Sequence, residues 1–166
     1  MTALPYRSLG SHLAALFAGA LLPLALAPFG YWPLGILSCA LLCLLVRDLA
    51  PQQVFRRSLA YGFGLFGVGI SWVYISIHTH GGESIAVALL LTGLLVLVLA
   101  LLFALPFSVL GYLAPNRFQR LAAFSALWVL VEWRRGWIFT GFPWLYLGYG
   151  FIDTWLAGWA PILGVL

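Results

Sequence analysis

From Ile85 to Leu105 the chain carries no charged residue and almost no polar one. A helix needs about 20 apolar residues to cross a 30 Å hydrocarbon layer, and this run supplies them. It is not isolated, since 64% of the 166 residues are hydrophobic and only 7% are charged. Soluble domains carry roughly 25% charge. A globule this small leaves much of its chain exposed, so it has nowhere to hide so much apolar surface from water. The sequence therefore predicts an all-α, multi-pass transmembrane helical bundle. It excludes a soluble enzyme, a disordered segment and a nucleic-acid reader.

Proline, glycine and charge divide the chain into five spans. They fall at about 11–27, 31–46, 58–77, 84–113 and 121–139. Pro28-Phe29-Gly30, the polar stretch with Arg47, Asp48 and Pro51, the turn from His78 to Gly82, and Pro115-Asn116-Arg117 separate them. Residues 140–160 read as an aromatic, glycine-rich loop, and an apolar run from Pro161 reads as the start of a sixth span. The whole of 1–166 is expected to be the N-terminal part of a transmembrane domain, and so a fragment. The first span imitates a signal peptide, with Ala25-Leu26-Ala27 as an A-x-A site. Pro28 in the first mature position argues for an uncleaved span.

Arginine sets the orientation. The net charge is +4, with eight Arg and no Lys. Arg7, Arg47, Arg56, Arg57, Arg117 and Arg120 share one side if the spans alternate. The positive-inside rule makes that side cytoplasmic, with the N-terminus. The 140–160 loop then lies on the outer side.

Arg134 and Arg135 break this pattern, in the outer part of the fifth span and close to Glu132. Charges inside a membrane helix are costly and face a partner or a wet cavity. Glu132 and Arg135, three apart, share a helical face. They suit a structural ion pair. Alternatively, Arg135 or Arg134 holds a lipid phosphate with its planar fork of donors. Thr140-Gly141-Phe142-Pro143-Trp144 follows, reading as a re-entrant or interfacial loop roofing a lipid-access site. In the third span Ala60, Gly64, Gly67 and Ser71 share a face, which suits close helix packing or a groove. Trp72 and Tyr74 end that span in an aromatic, polar terminus.

Other constellations carry less. His78, His80 and Glu83 lie in one short turn without a supporting shell, so no metal is expected. Glu83 reads better as the acidic start of the fourth helix. Cys39 and Cys43 are small membrane residues at the limit of disulfide reach. Ser76, His78 and Asp153 have no spacing that supports a triad. No cofactor is expected.

Several stretches together resemble one family. Leu26-Ala27-Pro28-Phe29 with Trp32-Pro33 is the first, and Gly62 to Gly67 through Ser71-Trp72-Val73-Tyr74 to Gly81-Gly82 the second. Glu132-Trp133-Arg134-Arg135-Gly136-Trp137, Thr140 to Trp144, and Ala160 to Val165 complete the set. They are similar to the N-terminal membrane region of apolipoprotein N-acyltransferase, a bacterial inner-membrane enzyme. The resemblance implies eight spans and a periplasmic nitrilase-like domain. It implies acyl transfer from a phospholipid to the N-terminal amine of a diacylglyceryl-cysteine lipoprotein, through a thioester on a Glu-Lys-Cys triad. That triad would lie beyond Leu166, so the fragment itself carries no catalytic residue and is expected to be inactive alone. Arg135, Gly141, Trp144, Glu132, Trp72 and Tyr74 are the candidate substrate-binding residues. They would shape a lipid entrance, with phospholipid, lipoprotein and membrane lipids as partners. A noncatalytic anchoring or assembly protein and a small transporter are the alternatives. The transporter would need polar residues on several facing helices, and the fifth span alone offers them.

Overall fold

A computed structural model describes residues 9–113 and 116–165. Arg7, Pro115 and Leu166, used in the sequence reading, lie outside them. The described residues form helices and turns without a strand. The α-helices are α1 (Leu9–Leu21), α2 (Trp32–Leu45), α3 (Pro51–Gly69), α4 (Trp72–Ile75), α5 (Ile85–Phe107), α6 (Arg117–Arg135) and α7 (Ala160–Leu163).

Local chemistry sets several ends differently from the expected ones. Pro51 occupies the first turn of α3, where its missing N–H costs nothing, so the helix starts seven residues before Ser58. Helix α3 and the segment Trp72–His80 meet at a break and are bent by 47° to each other, as in a broken span or a re-entrant loop. Ser84 caps α5, its Oγ accepting from the Val87 N–H at 3.3 Å. Helix α6 opens on a reciprocal capping box: Asn116 Oδ1 accepts from the Gln119 N–H at 2.9 Å, and Gln119 Oε1 from the Asn116 N–H at 3.2 Å. It closes at Arg135, four residues short of the expected Phe139.

Helices α1, α3 and α5 make the centre, with α3 in the middle. Glycine allows the α1–α3 approach. A Cβ on Gly64 would strike the Leu16 carbonyl, and one on Gly19 the Tyr61 carbonyl. Gly62 meets Ala100 of α5 on another face of α3. Gly67 faces open space, so the expected stripe of four small residues is not one continuous seam. Such close contact and internal hydrogen bonds join these helices. Ser38 of α2 supplies the bonds. Its Oγ donates to the Ala18 carbonyl at 2.6 Å and lies 2.6 Å from the Tyr61 hydroxyl, tying three helices at one buried point. Around it Tyr61, Phe103, Phe107, Phe124 and Trp128 pack ring against ring, some stacked and some edge-on or tilted.

The outside is equally apolar. Leu89, Leu90, Leu94 and Leu105 of α5 stand exposed. Only 22% of its most apolar window is buried, whereas the core helix of a soluble protein is mostly buried. By length and composition, Ile85–Gly111 can cross a membrane, and so can the bent pair of α3 and Trp72–His80 if it is one span. Leu9–Ala25 and Trp32–Leu45 are apolar but shorter.

Candidate functional site: the end of α6 and the segment it holds

The chain after α6 turns through backbone that side chains rarely adopt. Phe139, Thr140 and Leu145 have φ of 53°, 74° and 64°, and Gly141 has 90°. Such conformations persist only where the surroundings over-determine them. Here the surroundings are identifiable. The Phe142 N–H donates to the Arg135 carbonyl at 2.7 Å. Gly141 passes so close to the Gly136 carbonyl that a Cβ there would strike it. The Leu145 side chain lies on Gly69 of α3, in the space a larger residue would fill.

Glu132 and Arg135 finish the attachment. Glu132 Oε1 accepts from the Leu147 N–H at 2.8 Å. The Arg135 guanidinium sits between two rings, 5.3 Å from the Phe66 centroid and 5.0 Å from that of Tyr146. Both residues are only 4% exposed. Among the described residues they form no ion pair with each other within 4 Å; the salt bridges there join Asp48 to Arg47 and Arg120. Arg135 Nε and Nη2 are buried and, among the described residues, have no hydrogen-bond partner. Cation–π attraction to two rings is the visible stabilisation of this charge.

This attachment presents an aromatic surface. Trp144 is 52% exposed and Trp72 45%, with centroids 6.3 Å apart. Phe142 lies 5.2 Å from Trp144. Tyr74 is half-buried and stacks on His78, whose Nδ1 is 2.7 Å from the Glu83 carbonyl oxygen. The wide turn Ser76–His80 is closed by the Gly81 N–H, which donates to the Ser76 carbonyl at 3.0 Å. The six candidate residues therefore divide. Trp72 and Trp144 form the aromatic rim, Tyr74 pairs with His78 instead, and Glu132, Arg135 and Gly141 hold the segment that carries Trp144. Beside the segment a cavity of about 500 Å³ opens, with Cys39, Trp128, Glu132, Leu147, Tyr149 and Trp159 in its wall.

Sequence reasoning missed the partners. Phe66, Tyr146 and the Leu147 amide clasp Arg135 and Glu132 from distant parts of the chain. Tyr146 falls within the aromatic, glycine-rich stretch 140–160, and nothing in its spacing pairs it with Arg135. Nothing in the spacing pairs Leu145 with Gly69.

The model of the apolipoprotein N-acyltransferase N-terminal domain matches residues 18–166. This chain belongs to that family. It is 50% identical over 157 residues to the apolipoprotein N-acyltransferase of Pseudomonas syringae pv. tomato, covering 93% of this chain and 31% of that protein. The namesake from Azotobacter vinelandii is 51% identical, with 93% and 30% covered. That from Vibrio cholerae is 47% identical over 155 residues, with 92% and 31% covered. The chain thus spans about a third of the length of the curated relatives it matches. The family match takes in α2 to α7 and every residue of the aromatic rim and its attachment.

Proposed function

We propose that this chain is the lipid-facing membrane portion of an enzyme that moves an acyl chain from a phospholipid to the N-terminal amine of a diacylglyceryl-cysteine lipoprotein. The observation that carries this is the pinned segment from Phe139 to Leu147. A family of acyltransferases supplies the class of reaction, and the segment supplies a place where lipid meets protein. Strained backbone fixed by Glu132, Arg135 and Gly69 holds Trp144 beside Trp72, both half-exposed. Amphipathic rings of this kind settle where acyl chains meet headgroups.

In this reading the chain crosses the bacterial inner membrane five times and begins a sixth crossing at Pro161. The N-terminus is cytoplasmic and residues 140–160 lie at the periplasmic face. Short helices α1 and α2 and the polar start of α6 fit helices that tilt little, or a bilayer that thins locally. Trp72, Tyr74 and Trp144 line the lateral entrance for both lipid substrates. Glu132, Arg135 and Gly141 give that entrance its shape. The acyl-transfer chemistry belongs to a part of the enzyme outside this chain. This chain anchors that part and admits the lipids.

Acyl transfer to a synthetic diacylglyceryl lipopeptide, measured with the full-length enzyme in phospholipid vesicles, tests the reading. Trp144→Ala and Arg135→Ala are expected to lower turnover at least tenfold, with abundance and insertion unchanged. Normal acylation by both variants at normal abundance removes the entrance from this segment. Acylation by residues 1–166 alone overturns the placement of the chemistry.

A further inference from the structure

Arg134 and Arg135 are neighbours with different surroundings, and those of Arg134 explain a second anomaly. Pro106 lies inside α5, the most apolar helix in the chain. A helical N–H donates to the carbonyl four residues earlier, and proline has no N–H. The carbonyl deprived by Pro106 is that of Leu102. Arg134 Nη2 donates to the Leu102 oxygen at 2.6 Å, from a half-buried position. The pairing is not the result of mere proximity. Phe103 packs on Trp128 and Phe107 on Trp128 and Phe124, which fixes the antiparallel register of α5 and α6. In that register the Arg134 backbone lies about 8 Å beyond Leu102, at 1.5 Å per residue. Its side chain leans back along α6 to reach the carbonyl, into the apolar bundle. A membrane arginine with no such partner extends its charge toward water.

We propose that Arg134 is the donor that replaces the amide proton Pro106 lacks, and that this bond makes the proline tolerable within α5 and fixes the C-terminal end of α6 against it. Unpaired backbone carbonyls are costly in hydrocarbon, and prolines persist in membrane helices where a neighbour re-satisfies the freed group. A guanidinium suits the task. It stays charged, and a charged donor makes a stronger bond than a neutral one. The chain uses the same device elsewhere: Arg57 Nη1 donates to the Leu45 carbonyl, at the last residue of α2. The two neighbouring arginines therefore divide the work. Arg134 ties α6 to α5, and Arg135 ties the segment after α6 to α3. The inference is independent of the reaction proposed above, because it concerns one backbone carbonyl and its donor.

The test is a double-mutant cycle in the full-length protein, purified in detergent micelles, with apparent Tm as the readout. Arg134→Leu is expected to lower Tm by several degrees, the scale for a buried carbonyl left without a partner. Arg134→Lys keeps most of the Tm. Pro106→Ala restores an amide donor to Leu102, so adding Arg134→Leu to it costs less than a third of the single-variant loss. Equal losses in the two backgrounds overturn the proposal. If Arg134→Leu fails to accumulate, accumulation of the Pro106→Ala/Arg134→Leu protein supports the proposal, and failure of both overturns it. Infrared spectroscopy with an isotope-labelled Leu102 carbonyl reads the bond directly. Its amide band rises in frequency on Arg134→Leu when Pro106 is present and stays put when Ala replaces it. No rise with Pro106 present also overturns the proposal.

Discussion

The α1–α3 crossing and the segment after α6 are both held by glycine at a close contact, yet they are built on opposite principles. In the crossing, regular helices meet because Gly19 and Gly64 let backbone touch backbone. Ser38 and Tyr61 add a buried hydrogen bond, and no residue there departs from helical geometry. In the segment, Phe139 to Leu145 is irregular, and single polar attachments hold it: the Leu147 N–H on Glu132, the Phe142 N–H on the Arg135 carbonyl, Tyr146 on the guanidinium. The crossing gains from packing distributed over many atoms. The segment depends on a few atoms each. Damage to the first should unfold the bundle, whereas damage to the second should loosen the aromatic rim over an intact bundle.

The largest effect is expected at the crossing. Gly64→Val drives a branched side chain into the Leu16 carbonyl and should cost about 3 kcal/mol or more, with loss of the folded protein in a thermal-aggregation assay. Gly67→Ala, one turn away over open space, should instead leave the protein as stable or raise stability by up to about 1 kcal/mol, since alanine favours helix. Equal damage by the two would show that the crossing does not rest on that contact.

Next comes the polar attachment. Glu132→Ala leaves the Leu147 N–H without its acceptor, at a cost of about 1–3 kcal/mol confined to the segment. Hydrogen exchange at Leu147 and Phe142 should rise many-fold while exchange in α3 and α5 stays slow. Glu132→Gln keeps an acceptor oxygen and should restore most of the protection. Faster exchange throughout α3 would erase the distinction between the regions.

Tyr61→Phe removes one hydrogen bond from an otherwise well-packed point and should cost about 1 kcal/mol, seen as a small fall in Tm without altered exchange in the segment. Trp144→Ala should change stability by no more than about 0.5 kcal/mol, because half the side chain is already exposed. Its effect should appear in acyl transfer, as stated above.

The smallest effect concerns pH at the opposite end of the bundle. Asp48 accepts from Arg47 at 2.8 Å and lies 2.6 Å from Arg120, and the two guanidinium groups, Arg47 first, hold its carboxyl below the usual carboxylate range. A depressed folded-state value means the ion contributes fully above the unfolded value, near 4, and that this contribution disappears as pH falls through the folded one. The Tm gap between wild type and Asp48→Asn should therefore be flat from pH 7 to about 5 and close on further acidification. High salt should narrow it, because the group is exposed.

Much of this was legible in the residues. Helix positions followed from apolar runs and breakers, and the charges of Glu132 and Arg135 and the segment from Thr140 to Trp144 stood out against a nearly uncharged background. The helix boundaries were less accessible. The capping box of Asn116 and Gln119 and the proline at the first turn of α3 lay in polar stretches that read as connections. The stripe from Ala60 to Ser71 was read from helical periodicity alone, which says what shares a face and not what that face meets. Gly64 meets a helix and Gly67 does not.

By itself, the sequence determined that this chain is helical and apolar, where its polar anomalies lie and which family it joins. Those properties are written in composition, order and local spacing. Only the tertiary structure decided what each anomaly does. Leu102 finds its donor 32 residues later in the chain, Arg135 stacks on a ring from α3, and Leu145 fills the space that Gly69 leaves empty. The physical reason is the same in each case. Desolvated charge, unpaired carbonyl and strained backbone are local problems, but in an apolar surrounding their remedies come from whichever distant residue the packing brings into contact with the group in need.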